Sequence, residues 1–104
     1  MKYATISVMA FLSLSGAEAR PACCETSDDG VYPCYFQLTD RHGSFRVTAK
    51  EKPTFILEVS APGEAQGFVN FGDRDVSLPG IYRPSMKEPG CWLSDATGAK
   101  ICAW

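Results

Sequence analysis

Apolar and polar residues alternate in three successive segments between Cys34 and Ser60, and this pattern constrains the fold more than any other feature of the chain. A period of two places successive side chains on opposite faces of a β-strand. An antiparallel sheet with one buried face and one solvated face requires such a pattern. The sequence therefore predicts an antiparallel β core whose inward positions are Cys34, Phe36 and Leu38, then Phe45, Val47 and Ala49, then Phe55, Leu57 and Val59.

Shorter apolar runs continue this organisation towards the end of the chain. They are separated by turn-forming residues at intervals of about 8 to 12 residues, which is typical of small all-β domains. No segment after residue 19 shows the apolar periodicity of a long helix. We expect an all-β fold of about seven short strands, arranged as a small antiparallel β-sandwich or a partly closed barrel.

The first residues of the chain have the pattern of a targeting segment. Lys2 supplies a positive charge, the stretch 4–14 is mostly apolar, and 17–19 places small residues where a signal peptidase cleaves. The sequence predicts a signal peptide over 1–19 and a secreted, extracellular protein. The apolar run is shorter than the roughly 20 residues of a membrane-spanning helix, so stable membrane insertion is not expected.

The residues after the signal peptide divide by composition. The segment 20–33 is polar and rich in turn formers, so it is interpreted as an N-terminal arm, and 34–104 contains the alternating segments of the β domain. Asp28 and Asp29 lack the spaced series of oxygen ligands that calcium needs, so no metal site is predicted. The formal net charge is −2 without a basic run, which argues against nucleic acid as a partner.

Five cysteines follow the predicted cleavage site, in a chain bound for an oxidising compartment. Cys91 and Cys102 bracket a predicted hairpin, so we expect a disulfide between them that contributes about 3 kcal/mol. Cys34 is expected to pair with Cys24 or with Cys23, because adjacent cysteines rarely bridge each other. The cysteine left over is either a free thiol or the link of a disulfide-bonded dimer.

The stretch 78–82 reads Leu-Pro-Gly-Ile-Tyr. A Leu-x-Gly-x-Tyr motif that enters a strand resembles the tyrosine corner of Greek-key β-sandwiches, in which the hydroxyl reaches back to upstream backbone. The resemblance implies a structural role for Tyr82. Pro84 occupies the position of the second cysteine of the immunoglobulin pattern, so an immunoglobulin-type disulfide is excluded there.

The sequence contains no recognisable catalytic motif. His42 is the only histidine, and it lies in a predicted turn between Asp40 and Ser44. Neighbours within one turn rarely reach the geometry of a hydrolytic triad. The chain has no Gly-x-Ser-x-Gly elbow, no phosphate-binding glycine loop and no His-Glu-x-x-His helix. We expect a protein without enzymatic activity, cofactor or metal.

Binding is the remaining class of function. Four outward positions of the alternating strands, Tyr35, Arg46, Ile56 and Glu58, form the predicted binding surface, since exposed aromatic and aliphatic side chains are favoured at interfaces. Stacking on sugar rings is the alternative, through Tyr35, Tyr82, Trp92 or Trp104.

The chain resembles the small secreted cysteine-rich proteins of fungi. It shares with them the predicted signal peptide, cysteines at both extremities of the mature domain and the absence of a catalytic motif. Many members of that class are effectors, toxins or antimicrobial proteins built on compact β folds. The resemblance implies a secreted virulence protein that binds a protein target of another organism. A module that binds cell-wall polysaccharide, and a small antimicrobial or inhibitor protein, are the alternatives.

Overall fold

The computed structural model describes residues 18–104, so the predicted signal peptide lies outside the described residues except for its last two. All regular structure in that range is β-strand, which confirms the all-β prediction. No helix in the described range is long and apolar enough to cross a membrane. The strands are β1 (Arg20–Thr26), β2 (Gly30–Leu38), β3 (Phe45–Thr48), β4 (Thr54–Ala61), β5 (Glu64–Asn70), β6 (Asp75–Ser77), β7 (Tyr82–Pro84), β8 (Cys91–Ser94) and β9 (Lys100–Ala103).

The strands form one antiparallel sheet that closes on itself. Its order is β4-β3-β2-β1-β9-β8-β7-β5, and β5 pairs back onto β4, which makes an eight-stranded barrel. The ninth strand, β6, pairs with β5 outside this ring. The architecture is therefore a barrel with one extra strand, and the strand number is nine where the sequence suggested about seven.

The strand that composition did not predict is β1. Residues 20–33, interpreted as an arm, belong to the barrel, because β1 pairs with β2 along its whole length and with β9 at its end. Cys24 and Thr26 of β1 are buried, yet Pro21 and Cys23 on its other face are not polar. The strand consequently lacks the apolar–polar contrast by which alternation is recognised.

The inward side chains of the barrel strands form one core cluster. Val47 is 1% exposed and Leu57 is fully buried, and the rings of Phe36 and Phe45 lie 5.1 Å apart between centroids. Burying a side chain of this size stabilises the fold by about 1.5 to 3 kcal/mol. The alternation predicted these positions. It was wrong for Leu38, which is 42% exposed because it stands at the end of β2.

The barrel closes through a narrow seam between β5 and β7. Only one residue pair, Ala65 with Tyr82, joins these strands, since the far half of β5 pairs with β6 instead. The Tyr82 ring packs against Gly67, where an added Cβ would lie 2.7 Å from the ring atom Cε1. Glycine at this position therefore allows the ring to close the seam.

Tyr82 is a core residue, and the turn that precedes it is held by a different side chain. Tyr82 is 1% exposed and part of the core, and among the described residues its hydroxyl makes no bond to upstream backbone. The Ser94 hydroxyl donates to the carbonyl of Pro79 at 2.8 Å. The same oxygen accepts backbone N–H groups of Ala96 and Thr97 at 3.2 Å, so Ser94 joins this turn to the β8–β9 turn.

Both expected disulfides are present, and only one of them belongs to the core cluster. Cys24 pairs with Cys34 inside the core cluster. Cys91 pairs with Cys102, directly opposite each other in the β8–β9 hairpin and outside that cluster. Cys23 is the free cysteine, and it is exposed.

Candidate binding surfaces

The structure places the four predicted binding residues on the outward face of adjacent strands. Tyr35 of β2, Arg46 of β3 and Glu58 of β4 are exposed. Arg46 donates from Nη2 to the side-chain oxygen of Gln37 on β2 at 3.1 Å. Strand pairing therefore brings these residues to one side of the barrel wall, as alternation predicted.

Ile56 was predicted to be an exposed anchor, and this prediction is wrong. The residue is only 8% exposed, although it lies outside the core cluster. Its cross-strand partners are Arg46 on one side and Phe68 on the other. Long side chains at directly opposite positions approach closely and cover a smaller neighbour between them. Ile56 therefore supports the outward surface from beneath.

A second outward surface, which we call the terminal face, lies on β1, β2 and the chain end. The strand register places Pro21 opposite Tyr35 and Cys23 opposite Pro33. Trp104 exchanges two backbone hydrogen bonds with Cys23, at 2.8 and 2.9 Å, so it extends the same row. The members of the terminal face are Pro21, Cys23, Val31, Pro33, Tyr35 and Trp104, and all are exposed.

The sequence analysis named two members of the terminal face as candidates, Tyr35 for the binding surface and Trp104 for stacking on sugar rings. Counting back from Tyr35 in twos along β2 gives Pro33 and Val31, and Val31 is 62% exposed. That signal was available, but it fell in the segment interpreted as an arm. The members that are not on β2 come from β1 and from the chain end, and only the sheet pairing brings them beside Tyr35.

The end of the barrel where the β1–β2 turn and the β5–β6 turn lie contains a cavity of about 300 Å³, which we call the mouth cavity. Phe55 and Val69, which are cross-strand partners, and Leu78 form its apolar wall. Phe71, 76% exposed, borders it from the turn after β5. Asp28 lies at its rim in the β1–β2 turn.

The rim of the mouth cavity carries more negative than positive charge. Asp29 lies 3.6 Å from the Lys52 ammonium and accepts a hydrogen bond from the Thr26 hydroxyl. Asp28 has no ion-pair partner among residues 18–104. Lys52 also lies over the ring of Tyr32, whose pKa is raised by burial and by the charge of Asp29. The rim is therefore net negative at neutral pH.

His42 lies in an exposed turn that Asp40 organises. The Asp40 carboxylate accepts the backbone N–H of His42 at 2.7 Å and that of Ser44 at 3.1 Å. Hydrogen bonding from the Ser44 side chain, and then from the His42 backbone, lowers the pKa of Asp40 below its ordinary value. The Ser44 hydroxyl in turn accepts the N–H of Val59, which joins the turn to β4. This arrangement is that of a structural turn.

We expect Asp40→Asn to reduce stability at neutral pH but not in acid. A carboxyl whose pKa is lowered by folding stabilises the protein above its unfolded pKa, here an ordinary 3.8, and loses that contribution as pH falls through the folded value. Melting temperatures of the wild type and Asp40→Asn should therefore differ at about pH 7 and converge towards about pH 2. Asp73→Asn, in an exposed turn, is the control, and a difference independent of pH would contradict the prediction.

One cluster of potential metal ligands occurs among the described residues, and its chemistry is unsuitable. The carboxylate of Glu25 and the sulfurs of Cys91 and Cys102 lie within 4.8 Å of one another. Because these sulfurs form a disulfide, they are not thiolate ligands. Lys100 instead neutralises Glu25, at 3.6 Å, and also contacts Glu88.

The terminal face and the mouth cavity are thus both suited to binding. A scan against protein-family models and searches of curated proteins and solved structures found no match to the chain.

Proposed function

We propose that this protein is a secreted binding protein without enzymatic activity, and that it recognises a protein target through the terminal face. The observation that carries the proposal is the composition of that face. Val31 and Tyr35 of β2 are 62% and 54% exposed, and Trp104, which follows β9 on the other side of β1, is 58% exposed. Contiguous exposed apolar surface of this kind marks interaction sites, because solvating it is unfavourable.

The two disulfides support the terminal face from below. Cys24 follows Cys23 directly, and Cys34 lies between Pro33 and Tyr35, so the core disulfide joins the two strands that carry the face. The second disulfide fixes β9 immediately before the chain end. A surface held rigid in advance loses less conformational entropy on binding, which favours affinity.

The neighbouring polar positions fit the rim of such an interface. Arg46 is exposed on β3, beside the strand that carries Tyr35, and Glu58 is exposed on β4, one strand further along the sheet. Protein interfaces commonly combine an apolar centre with a charged rim that sets orientation and association rate. The resemblance to secreted effectors and toxins supports a target from another organism.

We expect the double variant Tyr35→Ser/Trp104→Ser to lose target binding while it remains folded. Removing two interface aromatics typically weakens binding by at least about 2 kcal/mol, or roughly thirtyfold. The measurement is affinity capture from extracts of candidate host organisms, followed by titration of the captured protein. Met86→Ser is the matched control, since Met86 is 98% exposed in the loop between β7 and β8 and is not a member of the terminal face.

Two outcomes would contradict the proposal. If the control variant lost the same captured proteins, the terminal face would not be the recognition surface. If the protein proved to be a dimer that Tyr35→Ser/Trp104→Ser or Cys23→Ser converts to a monomer, the face would be occupied by a second copy. Non-reducing electrophoresis and sedimentation of the purified protein distinguish these cases, and they test the predicted role of the odd cysteine.

Carbohydrate binding is the second candidate, and one observation favours it. Tyr35 and Trp104 lie on the same face, two strands apart and offset by two residues. Strand spacing and rise place them roughly 12 Å from each other. Retention on insoluble chitin, cellulose or β-glucan that is lost in Tyr35→Ser/Trp104→Ser would replace the protein target by a polysaccharide.

A further inference from the structure

The mouth cavity originates in the way that β5 divides its pairing. Its first half contributes the single pair with β7 that closes the barrel, and its second half pairs with β6, which lies outside the ring. Leu78, which follows β6, donates its N–H to the carbonyl of Gly67 at 2.8 Å and reaches back over the gap. A half-buried leucine does not fill that space, so the cavity remains open at this end.

The walls of the mouth cavity suit an apolar group. Phe55 and Val69 are 7% and 6% exposed, and both belong to the core cluster, so the cavity floor is the barrel core itself. A smaller cleft of about 80 Å³ adjoins it and shares Asp28, Phe55 and Leu78 with it. Ligand sites commonly occur in the mouths of β-barrels, and their volumes start at about 300 Å³.

The charges around the cavity favour a cation. Asp28 is the carboxylate at the rim without an ion-pair partner in the described part of the chain, whereas Asp29 is shared with Lys52. Lys100 lines the adjoining cleft, but its ammonium lies 3.6 Å from Glu25 and 3.1 Å from Glu88. An anionic ligand would therefore meet no free positive charge, while an ammonium would meet Asp28.

We infer that the mouth cavity binds a small amphipathic amine, with an apolar body against Phe55, Val69 and Leu78 and an ammonium at Asp28. Phe71, on the turn after β5, covers the apolar body from the solvent side. None of these residues belongs to the terminal face, so this site is independent of the proposed function. Its ligand class follows from charge complementarity and from the apolar wall.

The test uses three probes of one shape, 2-phenylethylamine, 2-phenylethanol and 3-phenylpropionate. Each is titrated into the folded protein, and amide chemical shifts report both affinity and location. We expect the amine to bind most tightly and to shift the resonances of Asp28, Phe55 and Val69. Asp28→Asn should weaken amine binding about tenfold or more, because it removes a charge-assisted hydrogen bond, and should leave the alcohol unaffected.

Two further variants distinguish binding in the cavity from attraction of the amine to surface charge in general. Asp73→Asn removes an exposed carboxylate of the β5–β6 turn, which does not line the cavity, and should leave amine binding unchanged. Phe71→Ser removes the exposed side chain that covers the cavity. It should weaken the binding of every probe that binds to the wild-type protein. The inference is overturned if the anion binds as well as the amine, if Asp73→Asn weakens binding as much as Asp28→Asn, or if no probe shifts the cavity resonances.

Discussion

Replacing Cys24 and Cys34 together by alanine is expected to lower the free energy of unfolding by about 4 kcal/mol. Their bridge closes a loop with a sequence separation of 10, and the chain-entropy contribution of such a loop is about 3 kcal/mol. Both sulfurs also lie in the core, at 0% and 4% exposure, and their removal leaves a small cavity that costs about a further 1 kcal/mol. Urea denaturation of the two proteins measures the difference.

The second disulfide supplies an internal comparison. Cys91 and Cys102 have a nearly equal separation of 11 and are equally buried, at 5% and 0% exposure, so Cys91→Ala/Cys102→Ala should also cost about 4 kcal/mol. Cys23→Ser, at an exposed position, should change stability by less than about 0.5 kcal/mol. A much smaller loss at one bridge than at the other would contradict this account of how the two contribute.

The second large effect is expected at the seam of the barrel. Tyr82→Ala should lower the free energy of unfolding by about 3 to 5 kcal/mol, the usual cost of truncating a buried aromatic side chain. Tyr82 is 1% exposed, provides the single pair that joins β7 to β5, and packs on the backbone of Gly67. Its loss therefore removes core packing at the narrowest part of the barrel wall. Thermal and denaturant unfolding measure the change, with exposed Tyr35→Ala as the control.

Tyr82→Phe distinguishes the packing account from the corner motif. In a tyrosine corner the hydroxyl bond to upstream backbone is essential, and its loss would cost about 1 to 3 kcal/mol. In this structure the Ser94 hydroxyl makes the corresponding bond, to Pro79, so Tyr82→Phe should be nearly neutral and Ser94→Ala destabilising. The reverse ranking would restore the corner motif as the explanation.

The stability of the core disulfide matters for binding, because the two strands that it joins, β1 and β2, also carry the terminal face. A chain of this size buries a limited core, so the bridges supply a large part of the margin of stability. Loss of the core bridge would weaken the link between β1 and β2, the strands that carry Cys23, Pro33 and Tyr35. We therefore expect reduced protein to lose target binding together with its fold.

The sequence did not predict which outward side chains of the candidate site are exposed, and Ile56 is an example. Alternation identifies which face of a strand a side chain occupies, and it placed Ile56 on the outward face correctly. Whether an outward side chain is exposed depends on its neighbours on other strands. The cross-strand partners of Ile56 are Arg46 and Phe68, which come from other strands, so the pattern of β4 alone does not record that Ile56 is only 8% exposed.

The sequence by itself determined the all-β class, the inward positions of the central strands and the pairing of Cys91 with Cys102. Each of these depends on residues close together in the chain, where period and spacing are sufficient. Only the tertiary structure decided that Arg20–Thr26 is a barrel strand, that a single Ala65–Tyr82 pair closes the ring, and that Trp104 lies beside Cys23. The physical reason is that these features arise from strand pairing between distant segments. Such pairing is set by how the whole sheet buries its core, and no local pattern records it.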